Sequence, residues 1–142
     1  MTQRDRPGYK PADTAERRVG QVLGDRWRLL KLVGVGGMAA VYDAEAPDGS
    51  RAAVKILHAE YASNEALRQR FLREARVTQA VDHAARVAVY DDGSTDSGEP
   101  YFVMELLEGE PLDSIWKRHL RKLPVAYSLR IADQVLALLA AC

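Results

Sequence analysis

The stretch LVGVGGMAAVYDAEAPDGSRAAVKIL, Leu32 to Leu57, decides how this chain is read. It holds a cluster of glycines, a Val-Tyr pair, an Asp-Gly pair and one lysine set among Ala53, Val54, Ile56 and Leu57. Val41 and Tyr42 give the run from Ala39 β-branched and aromatic content, Asp48-Gly49 marks a tight turn, and RAAVKILHA continues as a further strand. RWRLLKLVG, from Arg26, supplies the strand before the glycines. The pattern is strand, glycine turn, strand, turn, strand. Two uses of the glycines are open at this level. They either only turn the chain, or bare the backbone so that N–H groups can approach an anion. Lys55 sharpens the choice, because a cation in an apolar run needs a counter-charge or a ligand.

Downstream the period changes. Leu67, Phe71, Ala75 and Thr78 recur at helical spacing and predict a helix from Ser63 to about Ala80, with Ser63 as N-cap and Glu65 in the first turn. ARVAVYDDG and PYFVMELLEG read as two strands joined by the polar loop GSTDSGE. Leu112 to about Leu120 and Pro124 to Cys142 read as helices, the second with Pro124 in its first turn. Upstream, residues 1–24 are polar and proline-bearing, and are expected to form a flexible tail.

Composition narrows the function classes. The 142 residues, 47% hydrophobic and 28% charged, suit one modest globular domain. Twenty basic against twenty acidic residues give a net charge of zero, so no global field recruits nucleic acid or an anionic membrane. A phosphate ligand would have to be met locally. Cys142 is the single cysteine, which excludes an internal disulfide and fits a reducing, cytoplasmic setting. His58, His83 and His119 lie too far apart in sequence to suggest zinc spacing. The opening residues lack the apolar core of a secretory signal, and VLALLAAC is too short to span a bilayer.

The glycines acquire meaning from residues further along the chain. Gly34, Gly36 and Gly37 are three Cβ-free positions within four residues, but a G-x-G between strands more often serves only as a flexible turn. Val41 and then Lys55 shift the balance, since a valine can cover a base while a lysine reaches its phosphates. Lys55 does not follow the glycines at the spacing of a Walker loop, and no helix opens directly after them. Glu74, in FLREAR, lies on or beside the inward face of the predicted helix and is the candidate acid for Lys55. Its other reading is a solvated glutamate beside Arg70 and Arg73.

Taken together, GVGGMAAVY, AAVKIL, FLREAR, DHAARVAVYDDG and YFVMELLEG resemble the N-terminal lobe of a serine/threonine protein kinase of the bacterial, eukaryotic-like type, over roughly Leu23 to Cys142. The resemblance implies an α+β fold: a five-stranded antiparallel sheet with one regulatory helix, followed by the first two helices of an incomplete C-lobe. It divides the chain into a tail at 1–24, an ATP-binding N-lobe at 25–108, and a hinge exit with the start of a C-lobe at 109–142. It implies ATP as ligand, with Gly34, Val35, Gly36, Gly37 and Val41 over the nucleotide and Ala53 against the adenine. Lys55 would lie on the α/β-phosphates with Glu74 as its ion-pair partner. Met104 would be the gatekeeper, and the backbone of Glu105 and Leu107 the hinge.

Two departures accompany the match. Ala39 stands where the third glycine of G-x-G-x-x-G would be. The catalytic and metal-binding strings of the family, H-R-D-x-x-x-x-N and D-F-G, do not occur, and ADQVLALLAAC resembles the helix that precedes them. Asp91, Asp92 and Asp96 read as solvated turn residues and do not replace them. Mg²⁺, which the family uses, therefore finds no ligands in these strings, and the protein substrate finds no base. The chain alone is expected not to catalyse transfer. The alternative readings are a pseudokinase-like nucleotide-binding module or a non-catalytic interaction module, with the apolar face of the last helix binding a second copy, a partner or a chaperone.

Overall fold

A computed structural model describes residues 11–141. Its elements are α1 (Pro11–Glu16), β1 (Val22–Leu23), β2 (Trp27–Val35), β3 (Ala39–Glu45), β4 (Arg51–Leu57), α2 (Ala59–Ala62), α3 (Glu65–Ala80), β5 (Val89–Ser94), β6 (Pro100–Met104), α4 (Leu112–Arg118) and α5 (Val125–Ala140). The strands form one antiparallel sheet in the order β1-β2-β3-β4-β6-β5.

Strand alternation sorts the sheet into two faces. Ala40, Ile56 and Tyr101 are cross-strand neighbours, as are Tyr42, Val54 and Val103, and Ala44 with Ala52. Directly opposed residues share a face, and these rows form the larger core together with Trp27, Leu29 and Ala15 of α1. Ala39 with Leu57, and Phe102 with Phe71 and Ala75 of α3, form the second core on the opposite face. Helix α3 therefore packs where Lys55 projects, because Lys55 is cross-strand neighbour to Phe102. The Phe71 and Phe102 rings meet at 5.0 Å and 45°, so the helical period and the strand period converge on one aromatic contact.

The sheet has six strands where the sequence pattern predicts five, and the described part of the expected tail, residues 11–24, is structured. Ala15 and Leu23 are buried at 3% and 5% exposure. The Tyr42 hydroxyl donates to the Ala15 carbonyl at 2.9 Å, and burial pushes its pKa up to about 12, against a smaller lowering by Arg18. Arg18 reaches the buried Glu99 carboxylate at 2.8 Å, a partner 81 residues away. Local composition could not reveal this segment, since these stabilising contacts lie in distant parts of the sheet. Residues 1–10, the rest of the expected tail, lie outside the described residues.

Two helix starts also differ from expectation. Asn64, not Ser63, caps α3, its side chain accepting from the Leu67 N–H at 3.1 Å. Ser63 instead closes α2, the short helix that follows β4. Pro124 precedes α5 with extended backbone (ψ 138°) rather than entering its first turn. The Asp48-Gly49 turn forms as read: Gly49 takes φ +83° and donates to Ala46 O at 2.9 Å, while Asp48 accepts from Ser50 N–H.

Candidate nucleotide site

One row of the ladder aligns the chemistry. Gly34 is opposite Val41, Val41 opposite Lys55, and Lys55 opposite Phe102. All four positions therefore lie on the face that α3 covers. Within this row Lys55 Nζ lies 2.5 Å from Glu74 Oε1, and 5.6 and 6.0 Å from the Phe102 and Phe71 rings. The counter-charge that an apolar run demands comes from α3, and two aromatic faces add cation–π support. Glu74 is thus neither alone in solvent nor paired with Arg70 or Arg73.

The glycine segment folds as a tight hairpin end. Gly36 N–H donates to Ala39 O at 2.8 Å, closing the turn. A Cβ on Gly34 or Gly37 would meet nothing within 4 Å, so the fold alone does not demand glycine at these two places. Gly36, Gly37, Met38 and Ala39 form one wall of a hollow of about 220 Å³, and Lys55, Arg70, Phe71 and Glu74 form the other. The space between hairpin and helix is bounded by backbone on one side and by an acid-paired ammonium on the other.

Along the same face, Ala53 is opposite Met104 on β6. The chain leaves β6 with Glu105 N–H donating to Ala88 O at 2.8 Å. Leu107 follows at 66% exposure, available to a ligand rather than to the core. A second hollow, of about 580 Å³, opens here beside Leu106, Leu107 and Val33. Of the sequence-predicted residues, Gly34, Val41, Ala53, Lys55 and Met104 share the face on which Glu74 of α3 meets Lys55, Gly36 and Gly37 wall the smaller hollow and Leu107 the larger, whereas Val35, opposite Ala40, lies on the other face and Glu105 follows the end of β6.

Three neighbours escape a reading by motif. Val33 lines the larger hollow from the irregular stretch between Leu32 and Gly34, where strand alternation does not fix a face. Asp43 is only 2% exposed, holds the Arg51 guanidinium with both oxygens and lies 3.6 Å from Lys31. Its position opposite Ala53 on the same face is the signal that could have found it. His58 touches the glycine hairpin. Asp91, Asp92 and Asp96 are exposed, as their sequence context suggests. Among the described residues no three His, Cys, Asp or Glu side chains converge as metal ligands, and no helix is long and apolar enough to cross a membrane.

A curled antiparallel sheet, with a glycine hairpin over an acid-paired lysine and one long helix against that face, is the architecture of a kinase N-terminal lobe. The sequence model of the family described as protein tyrosine and serine/threonine kinase matches residues 27–139, and this chain belongs to that family. It is 40% identical over 122 residues to the serine/threonine-protein kinase PknA of Mycobacterium tuberculosis, covering 82% of this chain and 28% of that protein. It is 38% identical over 131 residues to the serine/threonine-protein kinase PksC of Streptomyces coelicolor, covering 87% of this chain and 24% of that protein. Among solved structures, the Mycobacterium tuberculosis PknI kinase domain superposes with a TM-score of 0.64 at 25% identity, covering 80% of this chain and 46% of that one. A point mutant of the same domain gives 0.72 at 25% identity, over 87% and 50%. The chain therefore spans less than a third of the length of these two curated relatives. Protein kinases as a family use ATP and Mg²⁺.

Proposed function

We propose that residues 25–108 form the ATP-binding lobe of a cytoplasmic serine/threonine protein kinase, and that 109–142 leave the hinge and begin its second lobe. The observation that carries this reading is the Lys55–Glu74 pair, in one row with Gly34 and Val41 beneath the hairpin. Gly34, Val35, Gly36 and Gly37 would cover the phosphates with backbone, while Lys55, held forward by Glu74, meets the α- and β-phosphate oxygens. Val41 and Ala53 would cover the adenine from the sheet. Met104 would close the back of the pocket, and Glu105 and Leu107 would offer it main-chain groups. The smaller hollow, with Lys55 and Arg70 beside the glycine backbone, suits the anionic end of such a ligand, while the larger one offers Leu32, Val33, Leu106 and Leu107 together with the charged Lys31, Asp43, Arg51 and Glu108.

In the whole protein the reaction is transfer of the γ-phosphoryl group to a protein serine or threonine. The hydroxyl oxygen bonds to phosphorus, the bond to the β-phosphate oxygen breaks, ADP leaves, and the hydroxyl proton passes to a carboxylate. The H-R-D-x-x-x-x-N and D-F-G residues that supply this carboxylate and hold Mg²⁺ in the family are not among residues 1–142. In the family Mg²⁺ would be held by the Asp and Asn of those motifs and would neutralise charge on the phosphates.

Titration of the 142-residue chain with ATP tests the reading. Half a pocket should bind weakly, with a Kd of roughly 1 mM, or about 4 kcal/mol. Lys55→Met should weaken it further. Equal binding by the parent and Lys55→Met would overturn the assignment.

A further inference from the structure

His58 holds the turn of the glycine hairpin from outside. It follows Leu57, the last residue of the strand that carries Lys55. Its N–H donates to Met38 O at 2.9 Å, and its ring Nε2 lies 2.9 Å from Gly36 O. Both acceptors, Gly36 O and Met38 O, belong to the turn that the Gly36 N–H to Ala39 O bond closes. A carbonyl oxygen only accepts, so Nε2 must carry the hydrogen, and the ring donates whether neutral with the proton on Nε2 or cationic.

We infer that His58 is a positioning residue for nucleotide binding, tethering the hairpin at the height that keeps the hollow above Lys55 open. This rests on the ATP-lobe reading above. Glycines give a hairpin many conformations of similar energy, and Gly36 and Gly37 stand side by side at this tip. A ligand that fits only one of these conformations binds with an affinity reduced by the fraction of time it is populated. One strand end then does two jobs: it presents the ammonium at Lys55 and fixes the backbone that closes over it.

The test compares the 142-residue chain with His58→Ala, His58→Gln and Lys55→Met. The probe is a methylanthraniloyl-labelled ATP followed by fluorescence, beside amide hydrogen exchange at Gly36, Gly37 and Met38 without nucleotide. His58→Ala should lose about three- to tenfold in affinity, the scale of one hydrogen bond, and exchange faster at the hairpin. In His58→Gln the new side-chain amide can donate to the same carbonyl and should restore both readouts. Unchanged binding and exchange in His58→Ala, with Lys55→Met weakened, overturns the tether and leaves the nucleotide site standing. Equal loss in His58→Ala and His58→Gln, or misfolding of both, shows a packing role and also overturns it. Lys55→Met binding like the parent overturns the underlying reading instead.

Discussion

Lys55 and Glu74 approach to 2.5 Å although the Glu74 side chain is 56% exposed and that of Lys55 only 23%. The asymmetry separates stability from function. A pair this open to water contributes about 0–1 kcal/mol to folding, whereas an ammonium swung out of line loses most of its reach to a phosphate. Glu74→Gln should therefore leave the unfolding midpoint in urea nearly unchanged, yet weaken ATP binding about three- to tenfold, as expected for loss of one charge-assisted contact. A large fall in stability would show that the pair is part of the core. Unchanged affinity would show that Lys55 needs no guide.

The open space at the Cβ position of Gly37 leads to a prediction of the same kind. Its φ is not positive, and nothing lies within 4 Å of where a Cβ would stand. Gly37→Ala should be neutral or stabilising by about 0.4–1 kcal/mol, since alanine restricts the unfolded chain. If the proposed phosphate-covering role holds, affinity for ATP should nevertheless fall, because the added methyl would hinder close approach of the phosphate oxygens to the hairpin backbone. A variant more stable and equally good at binding would mean that the hairpin only turns the chain.

Glu99 gives the fold a dependence on pH. Burial pushes its carboxyl pKa up, but hydrogen bonds from Thr95, its own N–H and Arg18 outweigh this and hold it below the ordinary 4.5. A carboxylate with a depressed folded pKa stabilises fully above its unfolded value and loses that stability as pH falls through the folded one. Stability of the parent should thus decline below about pH 4.5. Arg18→Ala should cost about 1–3 kcal/mol at neutral pH by leaving a buried carboxylate without its cation. It should also flatten the acid decline. Urea melts of both proteins from neutral pH down to about pH 3, well into the range where carboxylates protonate, would show it, and parallel curves would refute the coupling.

The range of each interaction decided how much of it was legible in the sequence. Val41, Lys55 and Glu74 could be placed because strand alternation and helical period each report locally on which face a side chain occupies. The strand runs around them agree with β2 to β6 to within a few residues at their ends. Helix α1 could not be read, because Ala15 is one small apolar residue in a polar run and the group that meets its carbonyl, the Tyr42 hydroxyl, arrives only when β3 is in place. Arg18 likewise finds Glu99 only in the folded chain. Asp43 carries no local sequence signal of its burial. Only the register that sets it beside Arg51 and Lys31 explains its burial. His58 gave no sign, since a contact to a backbone carbonyl across a turn has no sequence pattern.

The last helix offers a prediction that depends on exposure alone. Leu129, Leu136 and Leu139 recur at helical spacing on α5 and are 64%, 64% and 61% exposed, with Val135 at 50% beside them. None of the described residues of α5 is buried. Each such leucine forgoes about 1.5–3 kcal/mol relative to full burial, and a contiguous stripe of this kind favours association. The 142-residue chain should therefore bind an apolar-surface dye and scatter more light as its concentration rises. A variant carrying Leu129→Gln, Leu136→Gln and Leu139→Gln keeps good helix formers at these positions and should lose both signals while retaining helical circular dichroism. If parent and variant remain equally monomeric with equal dye binding, the stripe is not a driving surface.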